Sequence, residues 1–374
     1  MKQILGMIAC ILLLSACASG PEVIVFPSME VQPLIVTPTP TRDPVKGGFA
    51  LPAAYSVKGS WYELYFTDPA SPLAAQQTGG ADGPLVEAID GARLSVDVAI
   101  YSLSLDSIRD ALIRAHDRGV QVRMVMESDN RDRSDPQKLS DAGIPVLGDR
   151  REGLMHDKFV VIDNAEVWMG SMNFTDSGAY EDNNNLIRIR SVKMAENYTT
   201  EFNEMFVDDK FGPDDVPATP NPRVTIDGTP IDVYFSPDDN VGANLLDLIY
   251  NAEESIYFMA YSFTSDPLAE AIRARAEEGV TVQGVMDSEQ IASNIGTEFD
   301  PFRQAGLDVR RDGIPGLMHH KVIILDGQIV ITGSYNFTNS AETRNDENLI
   351  VLYDPFIAAQ FVAEFQRVFA LAEK

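Results

Sequence analysis

Residues Met155–Thr175 read "MHDKFVVIDNAEVWMGSMNFT", and residues Met318–Thr338 read "MHHKVIILDGQIVITGSYNFT". Both stretches run in the same order: a short polar opening, an apolar run, a turn, a second apolar run and a Gly-Ser-x-Asn ending. In each, a histidine and a lysine stand two apart, His156 with Lys158 and His319 with Lys321. Residues i and i+2 of an extended chain share a face, so each imidazole and its ammonium are expected to point into one space. The runs "FVVI" and "VIIL" that follow are expected to be strands buried on both sides. Asp163-Asn164 and Asp326-Gly327 are hairpin signals. Each hairpin is expected to return Ser171 and Asn173, or Ser334 and Asn336, beside the His and Lys that opened it. Hydroxyl, amide and ammonium donors then converge next to an imidazole, which suits the oxygens of a phosphate. Two copies make one pocket with two histidines.

The likeness extends well beyond these stretches. Leu85–Ser128 matches Leu245–Ser288 without a gap at an offset of 160, and from Gly143 the offset becomes 163, holding to Phe206 and Phe369. One net insertion of three residues separates the copies. In each copy a strand ("LSVDVAIYS", "SIYFMAYS") precedes an amphipathic helix ("SIRDALIRAHDRG", "PLAEAIRARAEEG") that stops at Gly119 or Gly279, and a second strand follows ("VQVRMVME", "VTVQGVMD"). Strand, helix, strand predicts parallel pairing with helices on the sheet faces. The expected fold class is therefore α/β, as two tandem pseudo-symmetric α/β/α domains with mixed, mostly parallel sheets. A pseudo-twofold would bring equivalent strand ends together at one seam.

A chain of 374 residues suits two domains. Its start, with Lys2 and then the apolar "ILGMIACILLLS", reads as a signal peptide over residues 1–16. "LSAC" resembles the lipobox of bacterial lipoproteins, and that resemblance implies lipidation of Cys17 and an extracytoplasmic, membrane-anchored protein. Cys10 leaves with the signal, so no thiol chemistry is expected of the mature chain. Residues 17–50 are rich in Pro and Thr and read as an extended tether. The first domain is assigned to 51–210, a Pro-rich linker to 211–229, and the second domain to 230–374.

Acidic residues outnumber basic ones by 56 to 29, a formal charge of −27. Such a field repels nucleic acid and anionic bilayers at long range, although a small cationic pocket can exist inside it.

The pattern H-x-K-x4-D-x6-G-S-x-N, carried by His156, Lys158, Asp163, Gly170, Ser171 and Asn173 and again by His319, Lys321, Asp326, Gly333, Ser334 and Asn336, resembles the signature of the phospholipase D superfamily. The resemblance implies two tandem phospholipase D-like domains and a phosphodiesterase with no cofactor and no metal. One histidine attacks phosphorus to form a phosphohistidine and the other protonates the leaving alcohol, so His156, Lys158, Asp163, His319, Lys321 and Asp326 are the catalytic members of the motif. The lysines with Asn173, Asn336, Ser171 and Ser334 hold the phosphate oxygens. Asp163 and Asp326 also sit at turns, where Asp is favoured for backbone reasons, so a structural role is the stronger expectation for both. Glu347, in "RNDENLI", stands where the family often places a carboxylate that orients a histidine, and the first copy has Asn184 there. The two histidines are therefore expected to differ, since a carboxylate raises imidazole basicity and an amide does not. Whether Glu347 serves its own repeat or the other, and which histidine is the nucleophile, stay open. His320, at the x of its motif, is expected to point away from the pocket, and His116 to lie on a helix surface.

Two substrates are open. One is phospholipid, hydrolysed to phosphatidate and head group, with transfer to another alcohol as a side reaction. The other is nucleic acid, for which Arg131, Arg133, Arg150, Arg151, Arg310 and Arg311 are the candidate cationic track. The acidic charge favours lipid. A cardiolipin-synthase-like transferase usually carries membrane helices that this sequence does not show. The expected state is a monomer whose two repeats form one site.

Overall fold

The computed structural model describes residues 53–214 and 216–373. The signal segment, Cys17 and the whole of the tether lie outside them. Eight strands form the first sheet: β1 (Ala54–Lys58), β2 (Tyr62–Thr67), β3 (Ser95–Ile100), β4 (Gln121–Met126), β5 (Val146–Gly148), β6 (Lys158–Ile162), β7 (Glu166–Gly170) and β8 (Asn185–Arg190). Eight more form the second: β9 (Arg223–Ile226), β10 (Thr229–Ser236), β11 (Ser255–Ala260), β12 (Thr281–Met286), β13 (Asp308–Arg311), β14 (Lys321–Leu325), β15 (Ile329–Gly333) and β16 (Glu347–Tyr353). The spatial orders are β1-β2-β8-β7-β6-β3-β4-β5 and β13-β12-β11-β14-β15-β16-β10-β9, one arrangement written twice. The stretch read as a linker, 211–229, takes in β9, which pairs with β10 at the edge of the second sheet.

The sheets are mixed, but the expectation that they are mostly parallel is corrected. Only β3 with β4, β4 with β5, β11 with β12 and β12 with β13 pair in parallel. The remaining neighbours are antiparallel. The physical reason lies in the connections. A parallel neighbour needs a helical crossover, whereas β6 and β7 are joined by a hairpin, as are β14 and β15. In both hairpins the two central residues take left-handed backbone, Asp163 and Asn164 in one, Asp326 and Gly327 in the other. That is the primed turn whose twist matches the flanking strands.

The helices Asp106–Asp117 and Asp266–Glu277 cover one face of each sheet, with Ile108, Ala111, Leu112 and Ala115, or Leu268, Ala271 and Ile272, turned inward. Gly119 and Gly279 follow them at φ 88° and 99°, a left-handed exit that glycine takes without a Cβ penalty. The helices Val192–Phe206 and Pro355–Leu371 cover the opposite faces and reach across to the other half. Tyr198 packs edge-on against Phe235 of β10, and Phe361 against Phe66 of β2. One apolar core accordingly takes in residues of both sheets, among them Val160, Met169, Val322 and Ile324. Among the described residues no helix is long and apolar enough to cross a membrane.

Candidate active site

The backbone entering each motif pairs with the other repeat. His156 N–H donates to Asp346 O at 3.0 Å and Asp346 N–H to Leu154 O at 2.9 Å. The mirrored contacts are His319 N–H to Asn183 O at 3.0 Å and Asn183 N–H to Leu317 O at 2.8 Å. Each histidine is thereby set beside the start of the other repeat's last strand. Glu347 opens β16, and Asn184 lies immediately before β8.

Side chains follow the same crossing. Glu347 Oε2 is 2.7 Å from His156 Nδ1 and accepts from Ser334 Oγ at 2.7 Å. Asn184 Oδ1 is 2.9 Å from His319 Nδ1 and accepts from Ser171 Oγ at 2.9 Å. Asn184 Nδ2 donates to Gly178 O, which fixes the amide so that its oxygen faces the ring. Nδ1–H is thus the donor in His319, and the serine bond to Glu347 supports the same assignment in His156. Both rings leave Nε2 for chemistry. Ser171 and Ser334, expected to return to their own repeat's histidine, are instead tied to the group that holds the other's. The cause is the seam, which puts each last strand against the opposite motif.

The His and Lys of each motif do come together as their spacing predicts. Lys158 Nζ donates to His156 O at 2.7 Å and Lys321 Nζ to His319 O at 2.8 Å. Tyr101 and Tyr261, aligned by the offset of 160, bind each pair together. Tyr101 meets His156 edge-on at 5.1 Å and lies under Lys158 at 5.4 Å, and Tyr261 meets His319 and Lys321, each at 4.6 Å. Neither tyrosine stood out in the motif reading, although the repeat alignment would have exposed both. Asn173 and Asn336 are half-buried, and Oδ1 of each is buried with no hydrogen-bond partner among the described residues.

The four motif side chains His156, Lys158, His319 and Lys321 are buried, and this governs their protonation. Burial, then the ammoniums of Lys158 and Lys321, hold His156 well below the usual imidazole range. Burial and the same two lysines do so for His319, with His156 adding to them. Burial brings Lys158 down to about 8 and pushes Glu347 up to about 7, the lysines opposing the latter. Lys321 is lowered by burial and then by Lys158. An uncharged imidazole facing two ammonium groups can serve as an anion site with a nucleophile in it.

Asp163 and Asp326, named as catalytic members of the motif with a structural role as the stronger expectation, lie at the hairpin turns rather than beside the histidines. Asp163 Oδ1 accepts from the N–H groups of Leu94 at 2.6 Å, Arg93 at 3.0 Å and Ser95 at 3.1 Å. Asp326 Oδ1 accepts from Glu254 at 2.7 Å, Ser255 at 2.9 Å and Glu253 at 3.2 Å. Each stands five residues beyond its motif lysine, about 16 Å along an extended strand. A cavity of about 630 Å³ beside Asp163, lined also by Glu63, Glu166 and Arg188, likewise contains neither motif histidine. His320 is fully buried on the far side of its strand, against Glu364 and Asn185, and His116 is half-buried on its helix.

The description "Cardiolipin synthase, PLD-like domain" matches this chain twice, over residues 85–206 and 245–369. The mitochondrial cardiolipin hydrolase of Chlamydomonas reinhardtii is 35% identical over 126 residues, which are 34% of this chain and 56% of that protein. The phospholipase D of Rickettsia prowazekii strain Madrid E is 35% identical over 132 residues, 35% of this chain and 64% of that protein. The chain thus spans less than two thirds of the length of these curated relatives. The solved phosphatidylserine synthase of Haemophilus influenzae Rd KW20 superposes with a TM-score of 0.61 at 14% identity, covering 83% of this chain and 89% of that one, a likeness of fold. Matched in both halves and built as the same fold twice around one seam, the chain belongs to the cardiolipin synthase, PLD-like domain family.

Proposed function

We propose that the protein is a phosphodiesterase of phospholipase D type that hydrolyses phospholipid to phosphatidate and a free head group, without a metal ion. The observation that carries this reading is the pair of buried histidines, each held at Nδ1 from across the seam and each beside a buried lysine. The diester's phosphate would sit between Lys158 and Lys321, with the amides of Asn173 and Asn336 as further donors.

The unequal partners assign the roles. A nucleophilic imidazole becomes cationic as it bonds to phosphorus, and the Glu347 carboxylate beside His156 stabilises that charge. The neutral amide of Asn184 gives His319 no such help, which makes its imidazolium the better acid. Entry of the anionic diester offsets the repulsion of the lysines and lets His319 Nε2 take up a proton. The Nε2 lone pair of His156 then bonds to phosphorus while the bond to the head-group oxygen breaks, and His319 gives its proton to that oxygen. A water next returns a proton to His319 as its oxygen displaces His156, releasing phosphatidate and restoring both rings. Another alcohol in place of water gives transfer instead.

Lipid is favoured over nucleic acid by the names of the relatives, by the charge of −27 and by the state of the candidate track. Arg150 is paired with Asp209, Arg151 with Asp214 and Arg310 with Asp308, and Arg311 lies over the Phe299 ring. Cations so engaged contribute little to counterion release. A lipid anchor at Cys17, exporting the chain and tethering it to a membrane, would keep the pocket at its substrate.

The test incubates the purified chain, with EDTA, against mixed phospholipid vesicles and against single- and double-stranded DNA. Head-group release abolished by both His156→Ala and His319→Ala is the expected result. DNA cleavage without head-group release would overturn the lipid reading and establish the nuclease.

A further inference from the structure

The crossing that orients the histidines continues one layer deeper, and it does so twice. From His156 it runs through Glu347 Oε2 and Ser334 Oγ to Asn348, whose N–H donates to Ser334 Oγ at 3.0 Å and whose Nδ2 donates to Asp157 Oδ1 at 2.6 Å. From His319 it runs through Asn184 Oδ1 and Ser171 Oγ to Asn185, whose N–H donates to Ser171 Oγ at 3.0 Å and whose Nδ2 is 3.1 Å from His320 Nδ1. Asp157 and His320 occupy the same motif position, between the His and the Lys.

The two ladders end differently. His320 is saturated: Nδ1 accepts from Asn185, and Nε2 is 3.0 Å from Glu364 Oε1, which Arg367 holds in turn at 2.6 Å. Asp157 is fully buried, and its Oδ2 has no hydrogen-bond partner among the described residues. The charged and titratable groups acting on it are Glu347 and Lys158, and the buried Tyr198 hydroxyl, without a hydrogen-bond partner among the described residues, faces the same interior. The ladder to His156 therefore carries a carboxyl at each end, and the ladder to His319 none in contact with its ring.

We propose that Asp157 is a positioning residue that shares one proton with Glu347 along this ladder and so competes with it for the negative charge that faces His156. Two buried carboxylates joined through one asparagine and one serine cannot both ionise cheaply, even with Lys158 acting on both. Glu347 is the better place for the charge, because Ser334, Asn345 and His156 all donate toward it, whereas Asp157 receives one bond. Burial raises both carboxyls above the ordinary carboxylate range. Protonation at Asp157 Oδ2 costs no existing hydrogen bond. This assignment rests on the catalytic reading of His156, but the coupling between the carboxyls does not.

The test is Asp157→Asn in the full chain. The substitution can keep the ladder, because Asn348 Oδ1 is buried without a partner and can accept from the new amide once the Asn348 side chain turns over. Imidazole NMR of His156 against pH, which needs no substrate, is the first readout. The titration shared by His156 and Glu347 is expected to move by about half a unit or more, since the competing carboxyl is gone. With phosphodiester substrate, the acid limb of kcat/KM should shift to lower pH, and adding Asp157→Asn to Glu347→Gln should change the pH profile no further. An unmoved His156 titration in a folded variant overturns the proposal, and so does an unmoved acid limb. A moved titration in a chain with no hydrolysis of any diester leaves the coupling standing and instead overturns the catalytic reading.

Discussion

Glu347 Oε2 lies 2.7 Å from His156 Nδ1, a contact between residues 191 positions apart. Catalysis through His156 requires that carboxyl in its ionised form, so turnover is expected to rise as pH passes about 7. It should fall again as Lys158 loses its proton near about 8. Glu347→Gln is expected to remove the acid limb and to lower kcat on the order of 100- to 1,000-fold with little change in KM, because charge on the imidazole develops only in the transition state. A variant with normal kcat would remove Glu347 from the mechanism.

The same carboxyl should cost the fold stability. Burial raises Glu347 from an ordinary value of 4.5 to about 7, so the folded chain holds the proton more tightly than the unfolded one does. Its contribution is favourable below the ordinary value and is lost as pH rises through the folded one. Glu347→Gln is therefore expected to raise the melting temperature at about pH 8, by a gain on the order of 1–3 kcal/mol, and to leave it unchanged at about pH 4. Calorimetry at the two pH values reads this directly, and equal shifts at both would refute it.

Asp163 and Asp326 each gather three backbone N–H groups at the start of the neighbouring strand. Replacing either by Ala strands those donors and should cost on the order of 1–3 kcal/mol. Activity per folded molecule is expected to stay near that of the parent. A loss of kcat with an unchanged unfolding midpoint would return these aspartates to the chemistry.

Gly153 and Gly316 hold the seam. A Cβ on Gly153 would lie 2.0 Å from Arg344 O, and one on Gly316 2.0 Å from Glu181 O, each a carbonyl of the opposite repeat. Neither contact leaves space for alanine without moving backbone. Gly153→Ala and Gly316→Ala should displace each histidine from its partner across the seam, lowering kcat by about 100-fold for a misplacement of about 1 Å. Full activity in either would mean that the seam tolerates that displacement.

Much of the local architecture was legible because it depends on near neighbours. The period of two placed His156 with Lys158 and His319 with Lys321. Left-handed residues marked both hairpins, and Gly119 and Gly279 both helix ends. The balance of parallel and antiparallel pairing is not legible, because the sequence shows the strand, helix, strand units while the antiparallel joins at β3 with β6 and β11 with β14 depend on how the hairpins dock.

The sequence by itself determined the duplication, the pairing of a histidine with a lysine in each repeat and the inequality of Glu347 and Asn184. Only the tertiary structure decided that Glu347 serves His156 and Asn184 serves His319, and that Asp157 and His320 end the two ladders. The physical reason is range. Backbone periodicity fixes the direction of a side chain relative to its neighbours, but its partner 191 residues away is chosen by the packing of two sheets across a shared core and by the close approach that glycines at the seam allow.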